Sequence, residues 1–478
     1  MNDTKQISAL NTLAEVARAR EKPHKRIPLA RIRVSPGAYL AAASVLTFSS
    51  ALLLRSENNI WALVALASAW LIVPALAFAD RIAFDGQLLC RRGPVPLVFQ
   101  LISGRKQQLN VADFERVDTN ALRTLRRGGR VRYRYRTQII GKGIGFSFAS
   151  GGKSYREMVR QLFPLIHDDK MDLRTRELRD YLCDPKSLRR EVQALQLASA
   201  DVLESATADF KLGRTKHPRE GQTELSEFSS AIDIERALQL RRLGNKLRIA
   251  GRLREAGEAF RRALNVIPTD SWLIYDFARL LRSQASARGD ARLLSRARAA
   301  LRLSRLRAKN DSQLLSLIGE SFLECGEAER AQRSFQRAID LEARNFRSRM
   351  GLADVALRNG KLAHVIHQYR GAAQGVSEKA LVLYARREAD YYARLSDDDD
   401  YLSAELQRIN WLQNSTRVRH LTARVTNACI LLALIGPYFD PAIAGIGWSL
   451  ASSSLVAWVS TLFAAKFLSQ RRKPRPAE

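Results

Sequence analysis

The stretch RVRYRYR at residues 130–136 places an arginine at every second position, with Val131, Tyr133 and Tyr135 between them. Side chains of an extended strand alternate between two faces, so this stretch predicts one cationic face and one aromatic and aliphatic face. Such a cationic face can contact the phosphates of lipid headgroups or nucleic acid. It can also keep an edge strand from pairing with another chain. The cationic face comprises Arg130, Arg132, Arg134 and Arg136.

Other residues with chemical potential do not form a recognisable catalytic or cofactor site. His364 and His367 have the i, i+3 spacing of two metal ligands on a helix, but the sequence suggests no third ligand. The tripeptide GKS at 152–154 matches the end of a P-loop, yet Ser147 stands where that motif requires glycine. We therefore interpret the histidines as surface or packing residues and GKS as part of a glycine-rich turn between strands. The expectation is a protein that is not an enzyme and has no metal or cofactor.

The charge of the chain indicates a negatively charged partner. Among 478 residues, 78 are lysine or arginine and 48 are aspartate or glutamate, which gives a net charge of +30. A balance this basic favours contact with nucleic acid or with the anionic inner surface of a membrane. The four cysteines are far apart and show no C-x-x-C spacing, which is typical of structural thiols in a reducing compartment.

Uncharged apolar segments occur in two pairs, one near each end of the sequence. A bilayer core of ~30 Å requires ~20 apolar residues in a helix. The pairs therefore predict two transmembrane hairpins, at 37–80 and 424–467, and the alternative is a set of helices buried in a soluble core. The four segments are 38–54, 60–79, 425–439 and 442–465.

Basic residues flank both predicted hairpins, whereas the two short loops that connect their helices carry only Arg55. Because positive charge near membrane segments is retained on the cytoplasmic side, this asymmetry predicts that both termini and the whole middle region are cytoplasmic. The predicted location is the inner membrane.

Residues 81–168 show the pattern of several strands followed by one helix. Asp85-Gly86 is a hairpin turn signal, LVFQLISG and KQQLNVADFERVD continue the strand pattern, and 155–166 has helical spacing. The order of these elements resembles that of a bacterial pleckstrin-homology-like (PH-like) domain. The resemblance implies a binding or assembly module. The four arginines of 130–136, which we call the arginine row, would then contact anionic lipid headgroups, or the module would contact a neighbouring subunit. Nucleic-acid binding at 123–136 is a further alternative, which is less favoured because the tyrosines are needed for packing.

Residues 169–231 predict a helical segment, with a helix opening at Asp184-Pro185, and then a polar linker. From 232 to 414 the spacing of small and aromatic residues repeats. Gly244 and Phe260 recur as Gly319 and Phe335 in a later unit, a pattern that resembles the tetratricopeptide repeat (TPR). A unit from Ser271 fits if it carries an insertion. The resemblance implies an all-α solenoid of stacked helical hairpins.

The resemblance also implies which side chains line the concave face of that solenoid. Their cationic and aromatic character predicts a protein partner, such as an acidic or C-terminal peptide, and the alternative is a set of solvated helix faces. The residues are Arg241, Asn245, Arg248, Trp272, Tyr275, Arg279 and Arg282.

Together these observations predict a multi-domain membrane protein with two transmembrane hairpins, a small β-rich PH-like domain with one C-terminal helix, and an all-α TPR solenoid. The predicted function is that of a membrane-anchored scaffold. The alternatives are an accessory subunit of a membrane transport or secretion complex, and nucleic-acid binding. The remaining predicted segments are a basic N-terminal region at 1–36, a basic juxtamembrane segment at 415–423 and a basic tail at 468–478.

Overall fold

The protein is described here by a computed structural model. The chain is mostly helical, with a smaller β-rich region near its N-terminal end. Arg130, the first residue of the arginine row, lies outside the described residues, as do 1–27 and most of the predicted linker. The described residues are 28–34, 37–103, 106–125, 131–150, 152–197, 231–435 and 440–468.

The β-rich region contains two antiparallel sheets, one of four strands and one of three. In each sheet the neighbouring strands follow one another in chain order, so every pairing joins consecutive strands. The four-stranded sheet consists of β1 (Ala30–Arg33), β2 (Arg81–Phe84), β3 (Leu88–Arg92) and β4 (Gln108–Asn110). The three-stranded sheet consists of β5 (Arg116–Leu125), β6 (Val131–Gly141) and β7 (Ile144–Ala149).

The first strand precedes the N-terminal apolar hairpin, and this differs from the predicted start of the domain at residue 81. Ile32 of β1 pairs with Ile82 of β2, so the hairpin is inserted between two adjacent strands of one sheet. The sequence could not show this, because β1 has only four residues and its partner lies about fifty residues later. Part of the predicted N-terminal segment 1–36 therefore belongs to the β-rich region.

Two helices accompany the sheets. The apolar stretch LVFQLISG is predicted as a strand, but its residues 97–103 instead form most of helix α3 (Pro94–Ser103), between β3 and β4. Helix α4 (Lys153–Leu162) follows β7 and packs its buried face, including Tyr155 and Met158, on the core between the sheets. Phe114 and Phe148 are also fully buried in that core.

Two further helices follow α4 where the sequence predicted a helical segment and linker. Helix α5 (Leu173–Tyr181) is capped by Asp172, whose Oδ1 accepts a hydrogen bond from Thr175 N at 2.9 Å. Helix α6 (Pro185–Ala194) begins with proline, which suits the first turn because its missing N–H would have no intrahelical partner. The segment 168–197 is thus ordered structure that packs between the β-rich region and the repeats.

Helical hairpins then stack along the chain from residue 231. Each pairs a helix with its successor in sequence, as the prediction of a TPR-like solenoid requires, and that prediction is confirmed at this level. The helices are α7 (Ala231–Ile249), α8 (Leu253–Val266), α9 (Ser271–Arg288), α10 (Ala291–Arg307), α11 (Ser312–Glu324), α12 (Ala328–Leu341), α13 (Phe346–Arg358), α14 (Leu362–Gly375) and α15 (Lys379–Asp397).

Close contacts between glycine and phenylalanine hold these hairpins together. A Cβ added at Gly244 would lie 2.8 Å from Phe260, and one at Gly319 would lie 2.5 Å from Phe335. These distances are too short for a real side chain, so the positions must be glycine for the helices to approach this closely. The small and large residues that repeat in the sequence are therefore direct packing partners.

The second repeat is longer than the others. Helices α9 and α10 contain 18 and 17 residues, whereas α11 and α12 contain 13 and 14. The predicted insertion is accommodated by longer helices that meet at Gly289, which has φ +69°. Ala297 and Leu301 of α10 are buried.

The apolar segments at the two ends of the chain form helical hairpins that meet. The first consists of α1 (Gly37–Arg55) and α2 (Asn59–Ala79), and the second of α16 (Asp399–Ile435) and α17 (Pro441–Leu468). Phe48 of α1 packs with Cys429 and Ala451 of the second hairpin, and its ring centroid lies 5.8 Å from that of Trp448. Because α16 is one continuous helix, the predicted juxtamembrane segment 415–423 lies inside it.

Two of these helices are long and apolar enough to cross a membrane, by length and composition, in the part of the chain that is described. They are Asn59–Ala79 and Ala442–Leu462, and a shorter apolar helix covers Tyr39–Arg55. Four such segments were predicted. The third, 425–439, falls partly on residues outside the described ranges.

Candidate interaction surface on the inner face of the repeats

One surface of the solenoid, which we call the inner face, is formed by helices α7, α9, α11 and α13. It carries most of the cationic and aromatic residues that the sequence predicted to bind a partner. In the structure this face is covered by residues of the same chain. The covering residues come from α5 and from the end of the β-rich region, and each contact is described below.

Helix α5 is held against the second sheet by its N-terminal turn. Met171 forms a parallel bridge with Val117 of β5, and Asp172 N donates to Val117 O at 3.0 Å. The hydroxyl oxygens of Thr175 and Thr119 lie 2.8 Å apart in a buried site. These bonds join α5 to the β-rich region, and α5 also contacts α7 of the repeats.

The centre of the contact is a buried ion cluster around Glu177 of α5. Its carboxylate accepts hydrogen bonds from Arg248 of α7 at 2.7 and 3.3 Å and also pairs with Arg279 of α9. Glu177 is 9% exposed and the two arginines are each 5% exposed. A buried carboxylate between two guanidinium groups neutralises charges that would otherwise be strongly unfavourable in the protein interior.

A second carboxylate completes the cluster from within the solenoid. Asp276 of α9 is buried and accepts a hydrogen bond from Arg241 Nε at 2.6 Å. It also lies 3.6 Å from Arg279 Nη1. Asp276 thereby joins α7 to α9 and helps to hold Arg279 in the position where it meets Glu177.

The electrostatic state of these arginines follows from their burial. Burial lowers the pKa of Arg279 well below its usual value, and the nearby charge of Arg282 lowers this pKa further. Burial also lowers the pKa of Arg282, to about 10. Burial lowers the pKa of Arg241 as well, but the attraction of Asp276 outweighs it and the net shift is upward. A carboxylate beside a buried guanidinium favours its charged form, and Glu177 provides that carboxylate for Arg279.

The later repeats also contact the residues directly before α5. Arg347 of α13 pairs with Glu320 of α11 and donates to Met171 O at 3.4 Å. Lys170, which is almost fully buried, lies 2.8 Å from Glu378 at the start of α15. These contacts extend the coverage of the inner face beyond α9.

Arg387 of α15 makes the contact with the β-rich region that lies furthest along the solenoid. Its guanidinium pairs with Glu115 beside β5 at 2.7 and 3.1 Å. The solenoid therefore wraps around the β-rich region along most of its length.

The structure places the predicted partner-binding residues close together on α7 and α9. Other parts of the same chain cover them, so they do not form a surface open to solvent. Asn245 and Tyr275 are fully buried, and Tyr275 packs in one apolar cluster with Leu173 of α5. Trp272 donates its indole N–H to Asp311 at 2.9 Å, and Arg282 pairs with Glu324. The expectation of an exposed groove therefore differs from the structure, because the chain supplies its own occupant.

Strand β6 shows the alternation that its sequence suggests. Arg132, Arg134 and Arg136 are exposed, while Val131 is buried and Tyr135 is half-buried. The tyrosine hydroxyl donates to Ile249 O at the end of α7, at 2.8 Å. The inward face of β6 thus contacts the first repeat.

The strand is not a simple edge strand. It pairs with β5 along 131–140 and with β7 along 136–141. The arginine side of β6 accordingly belongs to the surface of a three-stranded sheet.

A cleft of about 650 Å³ lies where β6, α5 and the first two repeats meet. Tyr133 and Tyr135 line one wall, and Arg174, Arg248 and Arg282 line the others. The carboxylates of Glu177 and Glu324 are also present and pair with arginines, so the cleft is mixed in charge.

The remaining chemical candidates do not form a site among the described residues. His364 and His367 are both exposed on α14, and no group of three or more histidine, cysteine, aspartate or glutamate residues in the described ranges could hold a metal ion. Lys153 and Ser154 of the GKS tripeptide form the first turn of α4. The prediction that GKS lies in a turn between strands is therefore wrong, because the chain continues from β7 into a helix.

Sequence reasoning missed the acidic half of this surface, above all Glu177, Asp276 and Glu115. One pattern could have indicated Glu177. It stands four residues after Leu173 and next to Leu178, so it lies on the apolar face of α5, where an ionised side chain needs a buried partner. The partner itself could not be identified from a pattern local to α5.

Comparisons with known proteins assign no function to this chain. No protein-family model matches the chain, and no curated protein matches its sequence. Similar solved structures include TTC0263, a thermophilic TPR protein of Thermus thermophilus, with 18% identity over 44% of this chain and 99% of that chain, at a TM-score of 0.28.

Two other solved structures show the same level of similarity. PilF of Pseudomonas aeruginosa has 16% identity over 50% of this chain and 98% of that chain, at a TM-score of 0.31. MamA has 14% identity over 30% of this chain and 80% of that chain, at a TM-score of 0.26. At these scores the assignment of helical repeats rests on the contacts within this chain.

Proposed function

We propose that this protein is a membrane-anchored scaffold whose helical solenoid holds protein segments on its inner face. The observation that carries the proposal is the seating of α5 on that face, with Glu177 between Arg248 and Arg279. An inner face that binds a helix bearing a carboxylate within its own chain has the chemistry to bind an acidic segment of another protein. No catalytic role is assigned to any residue.

An external partner would reach the predicted residues by replacing α5. The residues concerned are on the solenoid, namely Arg241, Arg248 and Arg279, while Glu177 plays the part of the ligand. A peptide with the sequence of residues 168–182, cross-linked to the full-length Glu177→Gln protein, tests this exchange. We expect cross-linking with this peptide and none with the same peptide carrying glutamine in place of Glu177. Equal cross-linking of both peptides would show that the inner face does not select a carboxylate.

The two apolar hairpins support the anchoring part of the proposal. They meet through Phe48 and Trp448, yet they leave large apolar side chains exposed to a degree that is unusual for a soluble surface. A bilayer would cover these side chains. Those more than 60% exposed in α1, α2 and α17 are Leu40, Ile60, Trp61, Leu63, Trp70, Leu71 and Val456.

We further propose that the β-rich region and the solenoid are both cytoplasmic. Cysteine labelling of the full-length protein tests this orientation after the four native cysteines are replaced by serine or alanine. Ser56→Cys, in the turn between α1 and α2, is expected to react with a membrane-impermeant maleimide in intact cells. Ser295→Cys, exposed on α10, is expected to react only after permeabilisation. Labelling of Ser295→Cys in intact cells, or recovery of the protein in the soluble fraction without detergent, would contradict the proposal.

The β-rich region is proposed to act as a PH-like module that contacts anionic lipid. The support is its four-stranded and three-stranded sheets with a helix after the last strand, and the exposed arginines of β6. Arg130 is included in this proposal from the sequence alone. The inward packing of Tyr135 disfavours stacking on nucleic-acid bases, because its ring lies between the sheet and α7.

A fluorophore at Asn120→Cys tests the lipid contact, because Asn120 is exposed and pairs in register with Arg136. In nanodiscs with a quencher on the lipid headgroups, we expect stronger quenching when the lipids are anionic than when they are zwitterionic. Changing Arg132, Arg134 and Arg136 to glutamine should abolish that difference. Quenching that does not depend on lipid charge would assign the arginine row to another role.

A further inference from the structure

Helix α3 presents its apolar side outward. Leu97, Val98 and Leu101 are 60%, 54% and 77% exposed, and Pro94 is also exposed. These positions have the spacing i, i+3, i+4 and i+7, so they form one continuous face of the helix. On the other side, Pro96 is buried and Val95 and Gln100 are half-buried. The outward face is therefore wholly apolar, whereas a helix on a protein surface in water is expected to expose polar residues.

The helix contains no ionisable residue, but exposed cations flank it in the chain and in the sheet. Arg81 and Arg92 precede it in the sheet, and Lys106 follows it; all three are exposed. An uncharged apolar face bordered by lysine and arginine is typical of helices that lie in the plane of a membrane interface. The apolar side chains enter the acyl boundary there, while the cations remain at the level of anionic headgroups.

The position of α3 in the fold places it at the end of the candidate membrane span. A Cβ added at Gly93, directly before α3, would lie 2.9 Å from Asp80 Cα and 3.3 Å from Ala79 O. Asp80 follows the last residue of α2 and binds Arg91 of β3, with Arg91 Nε 3.0 Å from both carboxylate oxygens. The first turn of α3 is therefore fixed beside the point where α2 leaves its apolar segment.

We propose that α3 is an interfacial membrane helix, with Leu97, Val98 and Leu101 inserted into the headgroup and acyl boundary of the leaflet where α2 ends. This inference rests on the proposed membrane anchoring. It adds α3 as a third element in contact with the membrane, beside the two apolar hairpins. A helix lying in the interface and a helix crossing the bilayer, joined rigidly through Asp80 and Arg91, would fix the tilt of the β-rich region against the membrane.

Spin labels in the full-length protein test the proposal, in nanodiscs that contain anionic lipid. Single cysteines replace Leu101 on α3, Leu71 in the middle of α2 and Leu165 at a turn of the β-rich region, in the cysteine-free background. All three positions are more than half exposed, so the labels should not disturb the fold. Collision with oxygen reports lipid, and collision with a polar nickel chelate reports water.

The expected result is a nickel collision rate at position 101 that is severalfold lower than at 165, with an oxygen rate between those at 165 and 71. If the label at 101 behaves as the label at 165 while the label at 71 remains in lipid, the interfacial assignment is wrong and the anchoring stands. If the label at 71 is itself accessible to the nickel chelate, the anchoring fails and the inference fails with it. A label at 101 shielded from both reagents would indicate a protein contact and would also overturn the assignment.

Discussion

Replacing Glu177 by glutamine is expected to loosen helix α5 from the inner face of the solenoid by about 3–5 kcal/mol, the cost of leaving buried cations without their partner. Arg248 and Arg279 would both lose the carboxylate that neutralises them. Amide hydrogen exchange of the full-length protein in detergent micelles measures the effect. Residues 173–181 should lose protection, and so should the facing part of α7.

The matched control is Glu191→Gln on α6. Glu191 also pairs with a cation of α7, Lys246, at 2.7 Å, but the two side chains are 37% and 26% exposed. A pair accessible to solvent contributes about 1 kcal/mol or less, so this variant should keep α5 protected. If the two variants lost protection equally, burial of the Glu177 cluster would not be what holds α5 in place.

Replacing Phe335 by alanine is expected to destabilise the third helical hairpin by about 3–5 kcal/mol. The ring is fully buried and lies in the space left by Gly319 and Gly351, where added Cβ atoms would approach within 2.5 and 2.4 Å of it. Its removal leaves a cavity that the neighbouring backbones cannot fill without moving. Hydrogen exchange of α11, α12 and α13 in the full-length protein measures this loss.

Leu341→Ala, on the same helix α12, serves as the control. Leu341 is 38% exposed, so its truncation removes less buried area and should cost about 1 kcal/mol or less. Because repeat proteins are stabilised mainly by contacts between neighbouring units, the effect of Phe335→Ala should fade toward α7 and toward α15. A uniform loss of protection along the whole solenoid would contradict this local account.

The repeats could be predicted because the residues that pack against each other are close together in the sequence. Gly244 and Phe260 are sixteen residues apart, as are Gly319 and Phe335, and each pair meets inside one hairpin. A spacing that recurs along the chain therefore maps directly onto a contact. Two of the four predicted apolar segments, Asn59–Ala79 and Ala442–Leu462, form helices long and apolar enough to cross a membrane. They could be predicted because the length and composition of a helix are properties of a continuous stretch.

The secondary structure of short apolar stretches was harder to predict from the sequence. The stretch LVFQLISG in α3 is too brief for its periodicity to distinguish a strand from a helix, and it was predicted as a strand. The chain resolves the ambiguity through position, because β3 and β4 pair with each other and leave the residues between them outside the sheet. The outward apolar face of α3 follows from this placement.

What the sequence by itself determined is the set of local units: the helical hairpins, the apolar helices and the alternating faces of β6. Only the tertiary structure decided how those units meet. Glu177 lies 71 residues before Arg248, and Glu115 lies 272 residues before Arg387, so neither pair leaves a periodic trace in the chain. The same holds for β1, which pairs across an inserted hairpin. Contacts within one unit recur with its sequence period. Contacts between units, including those that cover the inner face, depend on the position of each unit in the folded chain.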